Sequence, residues 1–216
     1  GGGERGEGER CARVKEGTRV IPLTRELADL LHDDAQQALR GDGTCTLDNM
    51  TVSCFAAEHC VQGNHAGEGI LRSLLHDGYS FVCIDDTHTP PKFVGCVKAS
   101  LCPRYIADKF PCHQRPDGLV LFSLCVDDRY RRQRVGARLI ERVLEVGRRA
   151  RIPVFLLVAR GCGATGECML AFQARVPRLR ETYTRLGWQE QCECDEYILF
   201  KHPGHTPRPP VPTSAG

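Results

Sequence analysis

Apolar positions along the chain follow two rhythms, one of strands and one of helices. Thr18–Leu23 (TRVIPL) reads as a short strand, and Thr24 stands where it would cap a helix with Leu27, Leu30, Leu31 and Leu39 on one broad face. Gly41 and Gly43 stop that helix, and Glu68–Leu75 predicts a second short one. Two strands follow, Tyr79–Ile84 (YSFVCI) and Phe93–Leu101 (FVGCVKASL), joined by the turn-forming DDTHTPP. Leu119–Val126 is apolar almost throughout and bounded by turn residues, which predicts a buried central strand. Val135–Arg149 is the clearest helix. Val135, Leu139, Ile140, Val143 and Leu144 share one face, while Arg138, Glu141, Arg142, Glu145 and Arg149 fall outside it. Pro153–Val158 predicts another buried strand. Pro177 reads as the first turn of a helix that runs to Leu186 and stops at Gly187. Trp188–Cys192 and Glu196–Phe200 then pair as a hairpin. This order argues an α/β (α+β) fold with a mixed sheet and helices on its faces.

The flanks have a different character. Residues 1–17, opening GGGERGEGER, read as a flexible tail, and 204–216 as a Pro-rich one, so the folded domain spans 18–203 with a Cys-containing insertion at 41–66. A composition of 41% hydrophobic and 26% charged residues excludes disorder of the whole chain. No apolar run approaches the roughly 18 residues of a membrane span, and no signal-peptide pattern opens the chain; the expected location is the cytoplasm. A net charge of +2 predicts neither a nucleic-acid nor a membrane partner. The arginines are nevertheless concentrated: nine of 24 lie between Arg129 and Arg151, against two acidic residues there. The 13 cysteines include no CxxC pair. Cys83, Cys96 and Cys125 sit inside apolar strand runs and read as reduced, buried thiols rather than disulfides. Cys45, Cys54, His59, Cys60 and His65 have irregular gaps, unlike zinc-ligand pairs, so no metal is expected.

Leu124–Leu139 (LCVDDRYRRQRVGARL) joins a central strand to the best helix through a cationic turn. Amides at a helix start point into one small volume where the dipole is positive. Gly136 and Ala137 keep that volume open, so the site suits a pyrophosphate. Arg131, Arg132 and Arg134 precede the helix and read as phosphate-facing; Arg138, Arg142, Arg148 and Arg149 read as a solvated helix face.

The pattern through Leu124, Val126, Tyr130, Arg131 and Gly136 resembles motif A of the GNAT superfamily, the acetyl-CoA-dependent N-acetyltransferases. One departure stands out: Arg134 replaces the first glycine of the Q/R-x-x-G-x-G/A signature. Glu181–Glu190 (ETYTRLGWQE) is similar to the family's motif B ending, with Tyr183 at the tyrosine and Gly187–Trp188 at the Gly-aromatic position. The resemblance implies the GNAT fold, with two parallel strands ending at Val126 and Val158 that splay apart. It implies acetyl-CoA as co-substrate. The backbone of Leu124, Cys125 and Val126 would meet the pantetheine arm, and the amides of Arg131, Arg132, Gln133, Arg134, Val135, Gly136 and Ala137 the pyrophosphate. It implies direct transfer to an amine of a small molecule or peptide, with Tyr183 protonating the leaving thiolate and no acyl-enzyme. The base stays open among Asp127, Asp128, His113 and water, and Tyr130 reads as structural. The resemblance is compatible with a homodimer. A second reading is a GNAT-like domain that binds acyl-CoA as a sensor or scaffold without turnover.

Overall fold

The computed structural model describes residues 17–40, 71, 74–75, 79–101, 118–160, 167–195 and 197–205. Among them is one mixed sheet of seven strands, in the order β1-β2-β3-β4-β5-β7-β6. The strands are β1 (Thr18–Pro22), β2 (Tyr79–Asp85), β3 (Lys92–Leu101), β4 (Leu119–Val126), β5 (Val154–Ala159), β6 (Gln189–Glu193) and β7 (Tyr197–Lys201). Four helices have their bounds within the described residues: α1 (Arg25–Leu30), α2 (His32–Arg40), α3 (Val135–Ala150) and α4 (Glu167–Arg185). No helix among the described residues is long and apolar enough to cross a membrane. Of the expected tail at 1–17 only Gly17 is described, its carbonyl accepting the Asp86 amide at 2.9 Å; residues 1–16, the 41–66 insertion and residues 206–216 lie outside the described residues, and Pro203–His205 form a short 3-10 turn.

Helices cover both faces of the sheet. Val135, Leu139, Ile140 and Val143 of α3 pack on Leu119, Leu121, Val154 and Leu156, and the same core takes Val176, Leu179 and Tyr183 from α4. Ala28 of α1, Leu31 at the break and Ala35 of α2 pack on the opposite face, against Val82, Ile84, Phe93 and Cys96.

Two elements depart from the sequence expectation. The single helix capped by Thr24 is broken at Leu31 into α1 and α2, although Thr24 does accept the Leu27 amide at 3.3 Å. Asp33 and Asp34 restart a helix because acids favour its first turn. The Asp34 carboxylate takes the Phe93 amide at 2.5 Å, docking α2 on β3. With that break Leu31 is buried, but Leu30 remains 55% exposed and does not join the core face. Pro177 does not open a helix; it lies inside α4, which starts ten residues earlier at Glu167. The good helix formers before it extend the helix upstream, at the cost of one i→i−4 bond where proline has no N–H. Gly187 (φ +87) ends the turn, and the Trp188 amide reaches back to the Tyr183 carbonyl at 3.0 Å, placing Trp188 in the core.

The splay has a visible cause. β4 pairs in parallel with β5 only from Leu119↔Val154 to Leu121↔Leu156. On its other edge, β4 stays paired with β3 up to Val126↔Gly95, but the register jumps from Ala99↔Leu121 to Lys98↔Ser123. Phe122 is therefore an extra residue, a β-bulge, at the point where β4 leaves β5. A bulge bends its strand and sharpens the twist. It also shifts the parity of the faces. Leu119 and Leu121 contribute to the α3 side before it, and Leu124 and Val126 after it, while Cys125 joins the opposite core. Gly95 lets β3 follow closely here, since a Cβ would stand 2.6 Å from the Cys125 carbonyl oxygen.

Candidate active site

At the end of β4 the chain turns through a 3-10 helix, Asp128–Tyr130, and enters α3 at Val135. Asp127 caps the 3-10 turn by accepting the Arg129 amide at 2.9 Å. The same carboxylate holds the Arg129 guanidinium in a fork, at 3.1 Å from Nε and 2.6 Å from a terminal nitrogen. That contact raises the Arg129 pKa above its ordinary value. Asp127 is buried and its amide is bonded to the Val94 carbonyl. It shapes the turn and is poorly placed as a base. Asp128 is exposed and pairs with Arg131 at 2.5 Å. His113 lies outside the described residues.

Arg134 is the N-cap of α3, and its side chain makes no capping hydrogen bond. No acidic residue stands in the first turn. The first backbone bond of the helix runs from the Arg138 amide to the Arg134 carbonyl at 3.1 Å, so the amides of Val135, Gly136 and Ala137 precede the helical ladder. Arg132 (φ 62) and Arg134 (φ 60) are both left-handed, a conformation that costs a non-glycine residue about 1–2 kcal/mol. Arg134 thus holds the conformation that the glycine of the family signature would adopt freely. Gln133 between them donates to the Arg129 carbonyl at 3.2 Å, while its buried Oε1 has no hydrogen-bond partner among the described residues. A Cβ on Gly136 would meet only Val126 Cγ2 at 3.8 Å and Leu124 Cδ2 at 3.9 Å, ordinary contacts. Packing among the described residues therefore does not require glycine there.

The structure brings Leu124, Cys125 and Val126 together with this turn: past Leu121 no strand pairs with the β5-facing edge of β4 among the described residues. The Cys125 side chain is not part of that edge. Burial pushes its thiol up to about 12, against the opposing pull of Arg131. Cys83 is pushed to about 11 and Cys96 well above its ordinary value, for the same reason. These three, with the half-buried Cys192 and Cys194, form no disulfide among the described residues.

Tyr183 is half-buried on α4, its ring centroid 6.0 Å from that of Phe200 on β7. Tyr130 is buried and donates to Asp85 Oδ2 at 2.8 Å, in keeping with a structural part. Arg138 corrects the sequence reading. It does not lie on a solvated face; it is half-buried and donates to the Thr18 hydroxyl and carbonyl, each at 2.8 Å. Its stem is long enough to reach across the sheet edge to β1. Arg142, Arg148 and Arg149 are exposed as expected. Sequence reasoning missed the Phe122 bulge and the buried Asp85. The first leaves no trace in a run that is apolar on both faces. The second had a signal, an acid ending the apolar strand YSFVCID.

A search of curated proteins gave no match. Among solved structures, the chain is similar to an acetyltransferase of the GNAT family from Listeria monocytogenes 4b F2365, with 12% identity over 85% of this chain and 93% of that one and a TM-score of 0.53. It also aligns with Arabidopsis thaliana NAA60 in complex with acetyl-CoA, at 16% identity over 85% of this chain and 97% of that one, with a TM-score of 0.46. The first of these supports the fold. Residues 47–164, over half of the chain, match the family model described as Acetyltransferase (GNAT) family. That stretch includes the bulged strand, the arginine turn and α3, and ends before Tyr183. The chain belongs to the GNAT acetyltransferase family.

Proposed function

We propose that the chain is an acetyl-CoA-dependent N-acetyltransferase that acetylates a primary amine of a small molecule or peptide by direct transfer. The observation that carries this reading is the open start of α3: uncapped, without an acid in its first turn, and set at the end of the strand that splays from β5. A helix that begins this way offers backbone donors and a positive dipole end to an anion. Gly136 supports it. Alanine would fit against the chain's own atoms and favour the helix by about 1 kcal/mol, so glycine here serves close approach from outside.

Bound acetyl-CoA supplies an activated thioester. The amides of residues 131–137, with Arg131, Arg132 and Arg134, hold the pyrophosphate. The free edge of Leu124–Val126 aligns the pantetheine arm. Tyr183 donates its phenolic proton to the sulfur as the amine nitrogen bonds to the acetyl carbon and the carbon–sulfur bond breaks. The proton lost from the amine goes to Asp128, His113 or water. The raised thiols of Cys83, Cys96 and Cys125 make none of them a nucleophile at neutral pH. The alternative, acyl-CoA binding without turnover, rests on Arg134 and on the open choice of base; Arg134 does hold the left-handed conformation of the signature glycine, which supports binding and leaves turnover to the kinetic test.

Titration calorimetry of the reduced protein with acetyl-CoA and coenzyme A tests the first step, and saturable one-to-one binding is expected. Absence of binding to both would overturn the reading. Tyr183→Phe should then lower turnover, followed by free-thiol release over an amine panel, by about 10²–10⁴-fold while the cofactor Kd changes little. Wild-type turnover in that variant would remove Tyr183 from its role.

A further inference from the structure

We propose that Asp85 is a positioning residue for the cofactor turn, acting through the phenol of Tyr130. This rests on the reading that residues 131–137 hold the pyrophosphate of acetyl-CoA. Asp85 ends β2 and is fully buried. A buried carboxylate persists only where hydrogen bonds hold it. Its Oδ1 accepts the Thr87 amide at 3.1 Å and the Thr87 hydroxyl at 2.5 Å. Its Oδ2 accepts the Tyr130 phenol at 2.8 Å, and His88 Nε2 lies 3.9 Å from the same oxygen. One oxygen is thus fixed to the β2–β3 turn, and the other fixes the residue on which the cofactor turn begins.

The far end of that turn is tied to the same place. Arg138, in the first part of α3, donates to the Thr18 hydroxyl and carbonyl, and Thr18 stands opposite Asp85 in the β1–β2 pairing. Both ends of the 130–138 segment therefore anchor on one step of the sheet. Between the anchors lie the left-handed Arg132 and Arg134, a conformation that persists only where its surroundings fix it. Releasing the Tyr130 anchor lets this segment relax, and the amides it aims at the pyrophosphate diverge. Packing alone would be met by a phenylalanine at 130; the hydroxyl and its remote carboxylate set the orientation.

The test compares wild type, Tyr130→Phe, Asp85→Asn and the double variant by acetyl-CoA titration calorimetry, steady-state kinetics and thermal unfolding. Each single variant should raise the cofactor Kd, and the KM for acetyl-CoA, by about tenfold, the worth of one hydrogen bond to a charged group. Turnover at saturating acetyl-CoA should stay within about twofold, and the double variant should bind no worse than either single one. Thr87→Val, at an exposed residue, should loosen the same carboxylate with the core untouched and raise Kd in the same direction. A lowered Tm with an unchanged Kd in the folded variants, Thr87→Val included, would overturn the proposal and leave Asp85 a stability residue. Failure of the wild type to bind acetyl-CoA would instead overturn the cofactor reading on which it rests.

Discussion

Helix α3 starts and stops on arginines in the same backbone conformation, Arg134 at φ 60 and Arg151 at φ 57. At the C-terminal end the left-handed residue completes a closed structure. The Arg151 amide returns to the Arg148 carbonyl at 3.2 Å, and the Ile152 amide to that of Gly147 at 3.0 Å. Arg148 and Arg149 in the last turn face the negative end of the dipole, where cations stabilise. At the N-terminal end the left-handed residue completes nothing of the kind. Arg134 supplies no cap, no acid follows it, and the cationic side chains are gathered at the positive end of the dipole, where they destabilise. One end is built for the folded chain alone. The other is left uncapped with its first amides outside the ladder, the difference expected between a helix terminus that stops and one that, as proposed, binds an anion.

The largest break in this comparison comes from placing a negative charge at the open end. Gly136→Asp sets a carboxylate beside the amides proposed to hold the pyrophosphate, and acetyl-CoA binding should weaken by at least about 10³-fold by calorimetry. The unliganded protein should meanwhile be as stable as wild type or slightly more so. An acid in a first turn stabilises by about 0.3–1 kcal/mol, and the helix loses a glycine. Opposite signs on binding and Tm are the signature of a site kept open against the helix's own preference. Unchanged affinity would mean that the start of α3 is not the phosphate site.

How much of this contrast was legible in the sequence depends on the range of the interaction involved. The amphipathic face of α3 and its start near Val135 follow from periodicity, and the small residues Gly136 and Ala137 mark the open end directly. Arg134 stood out as a departure from the family signature, but its left-handed backbone could not be read from residue type, since arginine rarely adopts it. The bulge at Phe122 was hidden because LVLFSLCV is apolar on both faces, so a slip in parity changes nothing in the pattern. Arg138 looked solvated because helical spacing fixes a Cβ direction and not where a long stem ends. The Tyr130–Asp85 contact spans 45 residues, and no local rule pairs them. Pro177 was read as a start signal because proline is common there, whereas α4 already had helix-forming residues upstream. Local chemistry was readable; what the sheet brings together from a distance was not.

The finest test replaces each left-handed arginine by glycine and compares the two. Glycine adopts φ near +60 without steric cost, so both variants relieve about 1 kcal/mol of backbone strain after glycine's greater loss of freedom on folding is counted. The charge change then acts with opposite sign at the two ends. Arg134→Gly removes a cation from the positive end of the dipole, adding about 0.3–1 kcal/mol of stability, whereas Arg151→Gly removes one from the negative end and forfeits a similar amount. Arg134→Gly should therefore raise Tm by several degrees and Arg151→Gly by little or nothing, with the gap narrowing in high salt as exposed charges are screened. Binding should split the other way. Arg134→Gly should raise the acetyl-CoA Kd a few-fold, since one of several cations is lost near the phosphates, and Arg151→Gly should leave it unchanged. Equal Tm shifts with equal affinities would show that the two arginines serve only to turn the chain, and the difference between the ends of α3 would then lie in the amides alone.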